Sequence, residues 1–318
     1  MADLSQELAA QDVPVQENVP TARLCSFRIG GPARWLAEPR NRRELVACLQ
    51  AAQRHGIPLF LLGNGTNVLF ADEGFAGLVV RLRGEFAGHS IQGSVVRAGA
   101  ATPLAGLALQ AVRLGLAGLQ FAVGIPGTLG GGLVMNAGAH GGQLADVVLE
   151  VEACELASGR WRRMPREELG FSYRHSILQE QGWAVGFCVL GLQPGSAEQL
   201  QDQARQVLAQ RQATQPLSLP NAGSVFRNPP PERSPNGWTA GRLIQEVGAK
   251  GWREGDAQVS PVHANFIVNL GHARASDVRA LMARVRAAVQ QRFGVALEPE
   301  IKLVSADGSP AALPPVDA

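Results

Sequence analysis

The sequence predicts an α+β protein of two or three domains. Its 318 residues, 46% of them hydrophobic, are enough to bury more than one core, since a domain takes roughly 150 residues. Helix and strand patterns follow one another without a regular strand–helix–strand alternation, which argues against one doubly wound sheet. A loop dense in proline, 215–238, follows a helix rich in glutamine and alanine. We therefore place a domain boundary near residue 206.

The first part of the chain contains two well-marked helices and a buried strand. Asn41 is a suitable N-cap for a helix that ends at Gly56. The apolar run IPLFLLG, 57–63, has the length of a strand and predicts one that is buried on both faces. A second helix is predicted from its N-cap, Thr102, to Leu114.

The rest of the chain contains further strands and longer helices. In chain order, the patterns predict strands near 147–156 and 183–192, helices at 196–212 and 239–248, a strand at 264–269 and a helix at 277–293. The last helix has Ser276 as its predicted N-cap, Gly294 just past its end and an apolar face. The residues after Val304 lack such a pattern, and we expect a disordered tail.

Composition and charge exclude several classes of function. The 29 Lys and Arg balance 27 Asp and Glu and form no basic block, whereas nucleic-acid binding needs a concentrated basic face. The four cysteines are far apart and match neither a zinc site nor a disulfide framework. A secretory leader and a run of roughly 18 uncharged apolar residues are both absent. We therefore expect a cytoplasmic protein, with neither nucleic acid nor membrane as partner, and favour a monomer.

Two glycine-rich loops predict a ligand that is held by the backbone. LGNGTNVL, 62–69, follows a strand and can turn main-chain N–H groups inward as an anion nest, although an ordinary turn is the favoured explanation when the loop is taken alone. It matches neither the Walker loop nor the GxGxxG fingerprint. GIPGTLGGGLVMNAGAHG, 124–141, is the second loop. Together they predict a cleft for a long polyphosphate-containing ligand, a flavin dinucleotide, whose approach keeps this backbone bare.

Eight short segments occur in a characteristic order between residues 20 and 304. They are FRIGGPA (27–33), LGNGTNVL (62–69), GIPGTLGGGLVMNAGAHG (124–141), FSYRHS (171–176), NAGSVFRNP (221–229), AGRLIQEVGAKG (240–251), HANFIVN (263–269) and LEPEIKLV (297–304). In this order and spacing the chain resembles the UDP-N-acetylenolpyruvoylglucosamine reductase (MurB) family.

The resemblance implies a fold, two cofactors and a reaction. The fold would be a two-part FAD-binding domain of the PCMH type, 1–88 and 89–205, followed by a smaller α+β substrate domain, 206–304, and a disordered tail, 305–318. FAD would be bound without a covalent link, and NADPH would supply the electrons. The reaction reduces the enolpyruvyl ether of a UDP-sugar to a lactyl ether in peptidoglycan precursor synthesis.

The resemblance also implies three catalytic residues, Arg174, Ser224 and Glu300. Hydride arriving at the terminal vinyl carbon pushes negative charge onto the adjoining carbon and the carboxylate, so the site needs a cation and an acid. Arg174 can clamp the carboxylate with two hydrogen bonds, and Ser224 matches the family's proton donor. Glu300 matches the acidic residue that acts with the arginine. From the residues alone, Glu298 is an equal candidate, since it would share a strand face with Glu300.

Further positions match contacts of the family. For FAD they are Arg28, Gly63, Asn64, Gly65, Thr66, Asn67, Gly124, Ile125, Pro126, Gly127, Thr128, Gly131, Asn136 and Gly138. For the UDP-sugar they are Tyr173, Arg227, Asn228, Lys250 and Asn265. Arg227 stands where the family usually has lysine, so its planar fork must meet phosphate differently. Asn265 lies within a predicted strand and could instead bond only to the backbone. No metal is expected, because no ligand set accompanies His140 or His263.

Two other functions and one subtype question stay open at this point. An oxidase built on a related flavin domain often links its flavin to histidine or cysteine, and His140 is the residue of that kind near the glycine loops. A nucleotide-sugar binding protein without catalysis is the other alternative. Some family members carry an extra tyrosine-bearing loop that closes over the substrate. The one tyrosine here, Tyr173, lies in the arginine motif, so we expect the type without that loop.

Overall fold

The computed structural model describes residues 4–180, 182–309 and 311–314, which divide into two units. The first unit comprises Met1–Glu17, Trp35–Asn64 and Gly77–Arg211, and the second comprises Asn18–Arg34, Gly65–Ala76 and Gln212–Ala318. The units are therefore interleaved along the chain, whereas the predicted domains are continuous segments.

The five helices predicted from the sequence are all present in the described residues, in the predicted order, together with two short ones. They are α1 (Leu4–Ala9), α2 (Arg42–Arg54), α3 (Leu104–Arg113), α4 (Leu129–Val134), α5 (Ala197–Thr214), α6 (Ala240–Glu246) and α7 (Ala275–Phe293). In the described part of the chain, no helix is both long and apolar enough to cross a membrane.

The strands are mostly short. They are β1 (Val15–Pro20), β2 (Pro32–Ala37), β3 (Leu59–Leu61), β4 (Val68–Phe70), β5 (Phe75–Val80), β6 (His89–Gln92), β7 (Val95–Gly99), β8 (Leu116–Ala117), β9 (Gly138–Ala139), β10 (Gly142–Gln143), β11 (Val148–Glu155), β12 (Trp161–Pro165), β13 (Trp183–Gly191), β14 (Gln193–Pro194), β15 (Arg253–Glu254), β16 (Ala257–Val259), β17 (Ile267–Asn269) and β18 (Lys302–Val304).

The first unit is built on an antiparallel sheet of order β12-β11-β13-β7-β6. One face of this sheet packs with α3 and α5 in a continuous apolar core, to which Ala98, Leu107, Val151 and Leu200 contribute. A second sheet has the order β1-β2-β5-β3, in which β3 and β5 are parallel. Short strands and separate helices make this unit α+β, as predicted.

The first helix of the sequence prediction is confirmed, together with its cap. The Asn41 side chain accepts a hydrogen bond from the N–H of Glu44 (3.0 Å), and the Glu44 carboxylate accepts one from the N–H of Arg40 (2.7 Å). This reciprocal arrangement satisfies N–H groups that the first helical turn leaves without partners. Gly56 follows α2 with φ +60°.

Two details of the first unit were predicted wrongly. Each residue of β3 is only half-buried, because β3 lies at the edge of its sheet. Thr102 does not cap α3. Its hydroxyl is 3.3 Å from the carbonyl oxygens of both Ala87 and Gly88, and the helix begins at Leu104 after Pro103.

The second unit surrounds α7 with short strands. β15, β16 and β17 form an antiparallel sheet, and β18 pairs in parallel with β4. The predicted apolar face of α7 is buried in the core of this unit, as are residues of α6 and β17. Ala311 and Leu313 also belong to the fold, since the Ala311 N–H donates to the carbonyl of Leu303 (3.3 Å) and Leu313 is 9% exposed. The predicted disorder is therefore wrong for 311–313, and residues 310 and 315–318 lie outside the described part.

The predicted N-cap of α7, Ser276, is wrong, because Ser276 lies within the first turn of the helix and Arg274 is the N-cap. This helix end is also capped from a distant segment. The carboxylate of Asp72 accepts hydrogen bonds from the N–H groups of Ala275 (2.6 Å) and Ser276 (3.0 Å) and from the Ser276 hydroxyl (2.7 Å). Partial desolvation raises the pKa of Asp72, but these hydrogen bonds outweigh it and hold the pKa below its usual value.

Asp72→Ala is expected to lower the free energy of unfolding by about 1 kcal/mol at pH 7, because two helix N–H groups lose their acceptor. A lowered carboxyl pKa stabilises the fold above the unfolded-state value of 3.8, and this stabilisation is lost as the pH falls through the folded-state pKa. Urea unfolding at pH 7 and at acid pH measures both effects. The control is Glu73→Ala at the adjacent exposed acid, and equal loss of stability in the two variants would contradict the cap.

Candidate active site

Each unit holds its own share of the predicted site residues. The first unit contains Gly63, Asn64, Gly124, Ile125, Pro126, Gly127, Thr128, Gly131, Asn136, Gly138, Tyr173 and Arg174. The second contains Arg28, Gly65, Thr66, Asn67, Ser224, Arg227, Asn228, Lys250, Asn265 and Glu300.

In the first unit, Arg174 lies at the tip of a tight turn. Ser172 and His175 exchange main-chain hydrogen bonds of 3.1 and 3.2 Å across the turn. Arg174 has φ +55°, a region that costs a residue with a side chain about 1 kcal/mol or more. Backbone strain of this kind is found often at functional sites.

The guanidinium of Arg174 is held in place by its neighbours. One of its nitrogens, Nη2, donates to the carbonyl oxygen of Gly138 (2.9 Å), and its carbon lies 5.1 Å from the centre of the Tyr173 ring. Tyr173 is half exposed. The guanidinium carries five N–H donors, and a group of this shape binds a carboxylate with a two-point contact.

The side chain of Asn136 is committed to the protein. Asn136 is 1% exposed. Its amide nitrogen donates to Gln143 Oε1 and to the carbonyl of Ser172, both at 2.9 Å, and its oxygen accepts from the N–H of Ala145 (3.0 Å). The predicted cofactor contact of this side chain is therefore wrong. Asn136 instead supports the turn that carries Arg174.

The two predicted glycine loops of this unit lie against each other. A Cβ at Gly63 would sit 2.6 Å from the hydroxyl oxygen of Thr128. That hydroxyl caps α4 by accepting from the N–H of Gly131 (3.3 Å). The N–H groups of Leu129 and Gly130 donate to the carbonyls of Thr102 and Ala100. The first amides of α4 are thus used within the protein and do not form the expected phosphate site.

At three glycines of the second loop, packing within the protein accounts for the absence of a side chain. A Cβ at Gly130 would lie 2.7 Å from the Ala100 Cβ, one at Gly132 2.9 Å from Leu144 Cδ1, and one at Gly138 2.7 Å from the Gly142 carbonyl oxygen. Packing within the protein therefore excludes a side chain at these three glycines, and our explanation by an approaching ligand is wrong for them.

Gly131 and the start of the loop differ from those three glycines. Gly131 is exposed, and the nearest atom to its Cβ position is 3.5 Å away. Gly127 has φ +122°, which only glycine adopts readily. Ile125 packs against the core, Pro126 is exposed, and Gly124 lies beside the Arg211 side chain.

In the second unit, main-chain pairing brings Ser224 near Glu300. The residue after Ser224, Val225, accepts a hydrogen bond from the N–H of Glu300 (2.8 Å), and the N–H of Arg227 donates to the carbonyl of Glu298 (2.9 Å). Ser224 and Glu300 are both half-buried, whereas Glu298 is exposed. This hydrogen bond brings Ser224 close to Glu300, which lies 76 positions later in the sequence, through the adjacent residue Val225.

Asn265 holds the Ser224 segment from its other side. Its carbonyl accepts from the N–H of Val225 (2.9 Å), and its side chain bonds to both the N–H (3.1 Å) and the carbonyl (2.8 Å) of Phe226. Asn265 is 3% exposed. Of the two roles considered for it, the structure supports the bond to the backbone over the substrate contact.

The loop that begins at Gly65 also reaches this segment. Gly65 has φ +63°, and its carbonyl accepts from the N–H of Ser26 (3.0 Å), whose hydroxyl donates to the carbonyl of Asn221 (2.6 Å). The Asn67 amide donates to the carbonyl of Glu300 (3.3 Å). Ser26 was not among the predicted site residues, although it directly precedes the FRIGGPA segment. Arg28, in that segment, has φ +56°.

Two cations follow the predicted catalytic residues of the second unit. Arg227 is half-buried, and its Nε is buried without a hydrogen-bond partner among the described residues. Desolvation and the charge of Arg227 lower the pKa of Lys302. A buried donor that lacks a partner beside a second cation favours an anionic ligand. Lys302 was not among the predicted site residues, although it lies within the LEPEIKLV segment.

The other two predicted substrate residues are exposed. The side-chain oxygen of Asn228 accepts from the N–H of Ala240 at the start of α6 (3.0 Å). Lys250 donates from its amine to the carbonyl of Val262 (3.4 Å). Their predicted contacts with the UDP-sugar stay predictions.

Comparison with known proteins covers almost the whole chain. Residues 215–304 match the family model described as UDP-N-acetylenolpyruvoylglucosamine reductase, C-terminal domain, and residues 33–165 match the model described as FAD binding domain. UDP-N-acetylenolpyruvoylglucosamine reductase 2 of Symbiobacterium thermophilum is 49% identical and covers 95% of this chain and 96% of its own. The reductase of Moorella thermoacetica is 47% identical and covers 91% and 93%.

A solved structure agrees with these relatives. The crystal structure of UDP-N-acetylenolpyruvylglucosamine reductase from Thermus caldophilus superposes with a TM-score of 0.79 at 38% identity, over 92% of this chain and 99% of the other. The fold comprises an FAD-binding domain and the family's C-terminal domain, as the resemblance implied. The chain belongs to the UDP-N-acetylenolpyruvoylglucosamine reductase family.

Proposed function

We propose that this chain uses NADPH and FAD to reduce the enolpyruvyl ether of UDP-N-acetylglucosamine-enolpyruvate, giving UDP-N-acetylmuramate, and that Arg174, Ser224 and Glu300 carry out the chemistry. The observation that carries this assignment is the hydrogen bond between the N–H of Glu300 and the carbonyl of Val225 (2.8 Å), beside Ser224. It brings two of the three residues together within one unit.

The residues of the first unit fit FAD. No hydrogen bond from the main-chain N–H of Gly63 or Asn64 is formed with any residue that the structure describes. Consecutive N–H groups of this kind can bind phosphate oxygens, and the exposed surface at Gly131 leaves room for a flat ligand. We assign these three residues to the FAD site. FAD held by these residues would supply the transfer of a hydride from NADPH to the substrate.

A pair of variants distinguishes a glycine required by packing within the protein from a glycine required by the flavin. Gly131→Ala is expected to leave the apoprotein as stable or up to about 1 kcal/mol more stable, because alanine favours helix, and to weaken FAD binding about tenfold, or ~1.4 kcal/mol. Gly130→Ala is expected to cost about 1–3 kcal/mol of stability through overpacking. Urea unfolding and a flavin fluorescence titration measure these effects. An unchanged FAD affinity in Gly131→Ala would remove that glycine from the site.

The chain's own residues supply the polar part of the reaction. Arg174 binds the carboxylate of the enolpyruvyl group and stabilises the negative charge that develops there. Ser224 gives its proton to the carbon next to the carboxylate, which completes the reduced ether. Glu300 acts on the carboxylate side together with the arginine. Arg227 binds phosphate with its planar fork, and Lys302 adds a second positive charge beside it.

Several finer statements belong to the same proposal. The chain acts in the cytoplasm as a monomer, and its product enters peptidoglycan, so that it serves cell shape and cell division. It is of the type without the tyrosine-bearing loop, since its one tyrosine precedes Arg174. NADPH and the UDP-sugar use one pocket in turn, which predicts parallel lines in initial-rate plots.

Anaerobic NADPH oxidation tests the proposed function against the alternatives. We expect oxidation that depends on the enolpyruvyl UDP-sugar and yields UDP-N-acetylmuramate. NADPH oxidation that requires oxygen and ignores the sugar would indicate an oxidase. Binding of the sugar with no oxidation of NADPH would indicate a binding protein, and either result would overturn the proposal.

A further inference from the structure

A series of hydrogen bonds leads from His263 to the segment that carries Ser224. The main-chain N–H of Asn265 donates to Nδ1 of His263 (3.1 Å). Asn265 in turn makes the three bonds to Val225 and Phe226 described above. His263 is therefore one residue removed from the main chain that positions Ser224, although nothing in its sequence context indicates this.

The surroundings of His263 keep its ring neutral and fixed. The ring packs edge-on against Phe266, with 4.8 Å between the ring centres, and lies close to Gly241, where a Cβ would come within 3.2 Å of its Cε1. An Nδ1 that accepts a hydrogen bond carries no proton, so the neutral ring holds its proton on Nε2. Burial of the ring and the charge of Lys250 lower the pKa of His263, which favours this neutral form.

The bond spans two residues, from His263 to Asn265, in the manner of an Asx turn. An asparagine at 263 can place its side-chain oxygen where Nδ1 now lies. A glutamine carries its amide one methylene further from the backbone and cannot. The two substitutions therefore separate the variant that keeps an acceptor for the N–H of Asn265 from the variant that lacks one.

We propose that His263 is a positioning residue for the proton donor: its neutral Nδ1 orients Asn265, and Asn265 fixes Val225 and Phe226 so that the Ser224 hydroxyl keeps the position from which it transfers its proton. This inference rests on the proposed role of Ser224. It gives the histidine of the HANFIVN segment a task in the protonation step and none in binding the flavin.

The two half-reactions of the holoenzyme test this role. In His263→Gln, we expect reoxidation of the reduced flavin by the enolpyruvyl UDP-sugar to slow about tenfold, since misplacing a reacting group by about 1 Å can cost up to 10²-fold. Reduction by NADPH, which needs no proton from Ser224, should stay within about twofold of the native rate. In His263→Asn, the rate of reoxidation should return to within about threefold of the native rate. His272→Gln, at an exposed histidine of the same unit, is the matched control and should behave as the native protein.

Hydrogen exchange of the same proteins gives a readout that does not depend on turnover. The N–H groups of Val225 and Phe226 should exchange faster in His263→Gln than in the native protein, whereas His263→Asn and His272→Gln should match the native protein. Faster exchange is expected if the hydrogen bonds from Asn265 to Val225 and Phe226 open more often.

The contrary results distinguish a failure of the positioning role from a failure of the proposed role of Ser224. Equal slowing of both half-reactions in His263→Gln, or an asparagine variant as slow as the glutamine variant, would overturn the positioning role. Unchanged exchange at Val225 and Phe226 would also overturn it. If the reduced flavin of Ser224→Ala is reoxidised at the native rate, the proposed function of Ser224 fails instead. The exchange result then still shows whether His263 holds Asn265 in its bonds to Val225 and Phe226.

Discussion

Replacing Ser224 by alanine is expected to slow flavin reoxidation by the enolpyruvyl UDP-sugar by about 10²–10⁴-fold, the usual contribution of a positioned acid. Reduction of the flavin by NADPH should change less than about twofold, because that step takes no proton from the serine. Stopped-flow absorbance of the two half-reactions measures both rates.

Two further variants make the Ser224 result specific. Ser224→Cys keeps a proton on the side chain and should retain much of the reoxidation rate that alanine loses. Ser218→Ala removes an exposed hydroxyl six residues earlier and should behave as the native protein. Reoxidation at the native rate in Ser224→Ala would exclude the serine as the proton donor.

Arg174→Lys is expected to lower kcat/KM for the enolpyruvyl UDP-sugar by about 10²–10³-fold, the cost of losing a donor aimed at developing charge. Lysine keeps the positive charge, but it lacks the planar fork that binds a carboxylate with two bonds. It also loses the geometry of the bond to Gly138, which now fixes the guanidinium. Steady-state kinetics with varied UDP-sugar measure the effect.

The control for Arg174 is a second Arg→Lys change in the same unit. Arg160 is exposed, and Arg160→Lys should leave kcat/KM unchanged. An unchanged kcat/KM in Arg174→Lys would show that charge alone suffices, or that the carboxylate binds elsewhere. A loss of thermal stability in both variants alike would point to a general effect of the substitution.

The elements predicted best from the sequence are those whose signals are local. α2 was predictable because Asn41 and Glu44 form its cap within four residues, and α7 because its apolar residues recur on one face up to Gly294. The cap of α7 was not, because Asp72 lies about 200 residues earlier in the chain. The edge position of β3 was equally invisible, since an apolar run does not reveal its neighbours in the sheet.

The candidate site was predictable mainly through the family resemblance. No periodicity indicates that the main chain at Val225 pairs with Glu300, nor that segments 18–34 and 65–76 return to the second unit. The interpretation of the whole glycine-rich stretch as a surface for a ligand was wrong in part. Close packing accounts for Gly130 and Gly132, and a sequence does not distinguish packing against protein from packing against a ligand.

The central claim is that the chain passes electrons from NADPH through FAD to an enolpyruvyl UDP-sugar. A visible absorption spectrum of the purified protein tests it most directly, recorded before and after anaerobic NADPH and again after the UDP-sugar is added. We predict flavin bands that bleach with NADPH and return with the sugar. A protein that takes up no FAD, or whose bleached bands do not return when the sugar is added, would contradict the account.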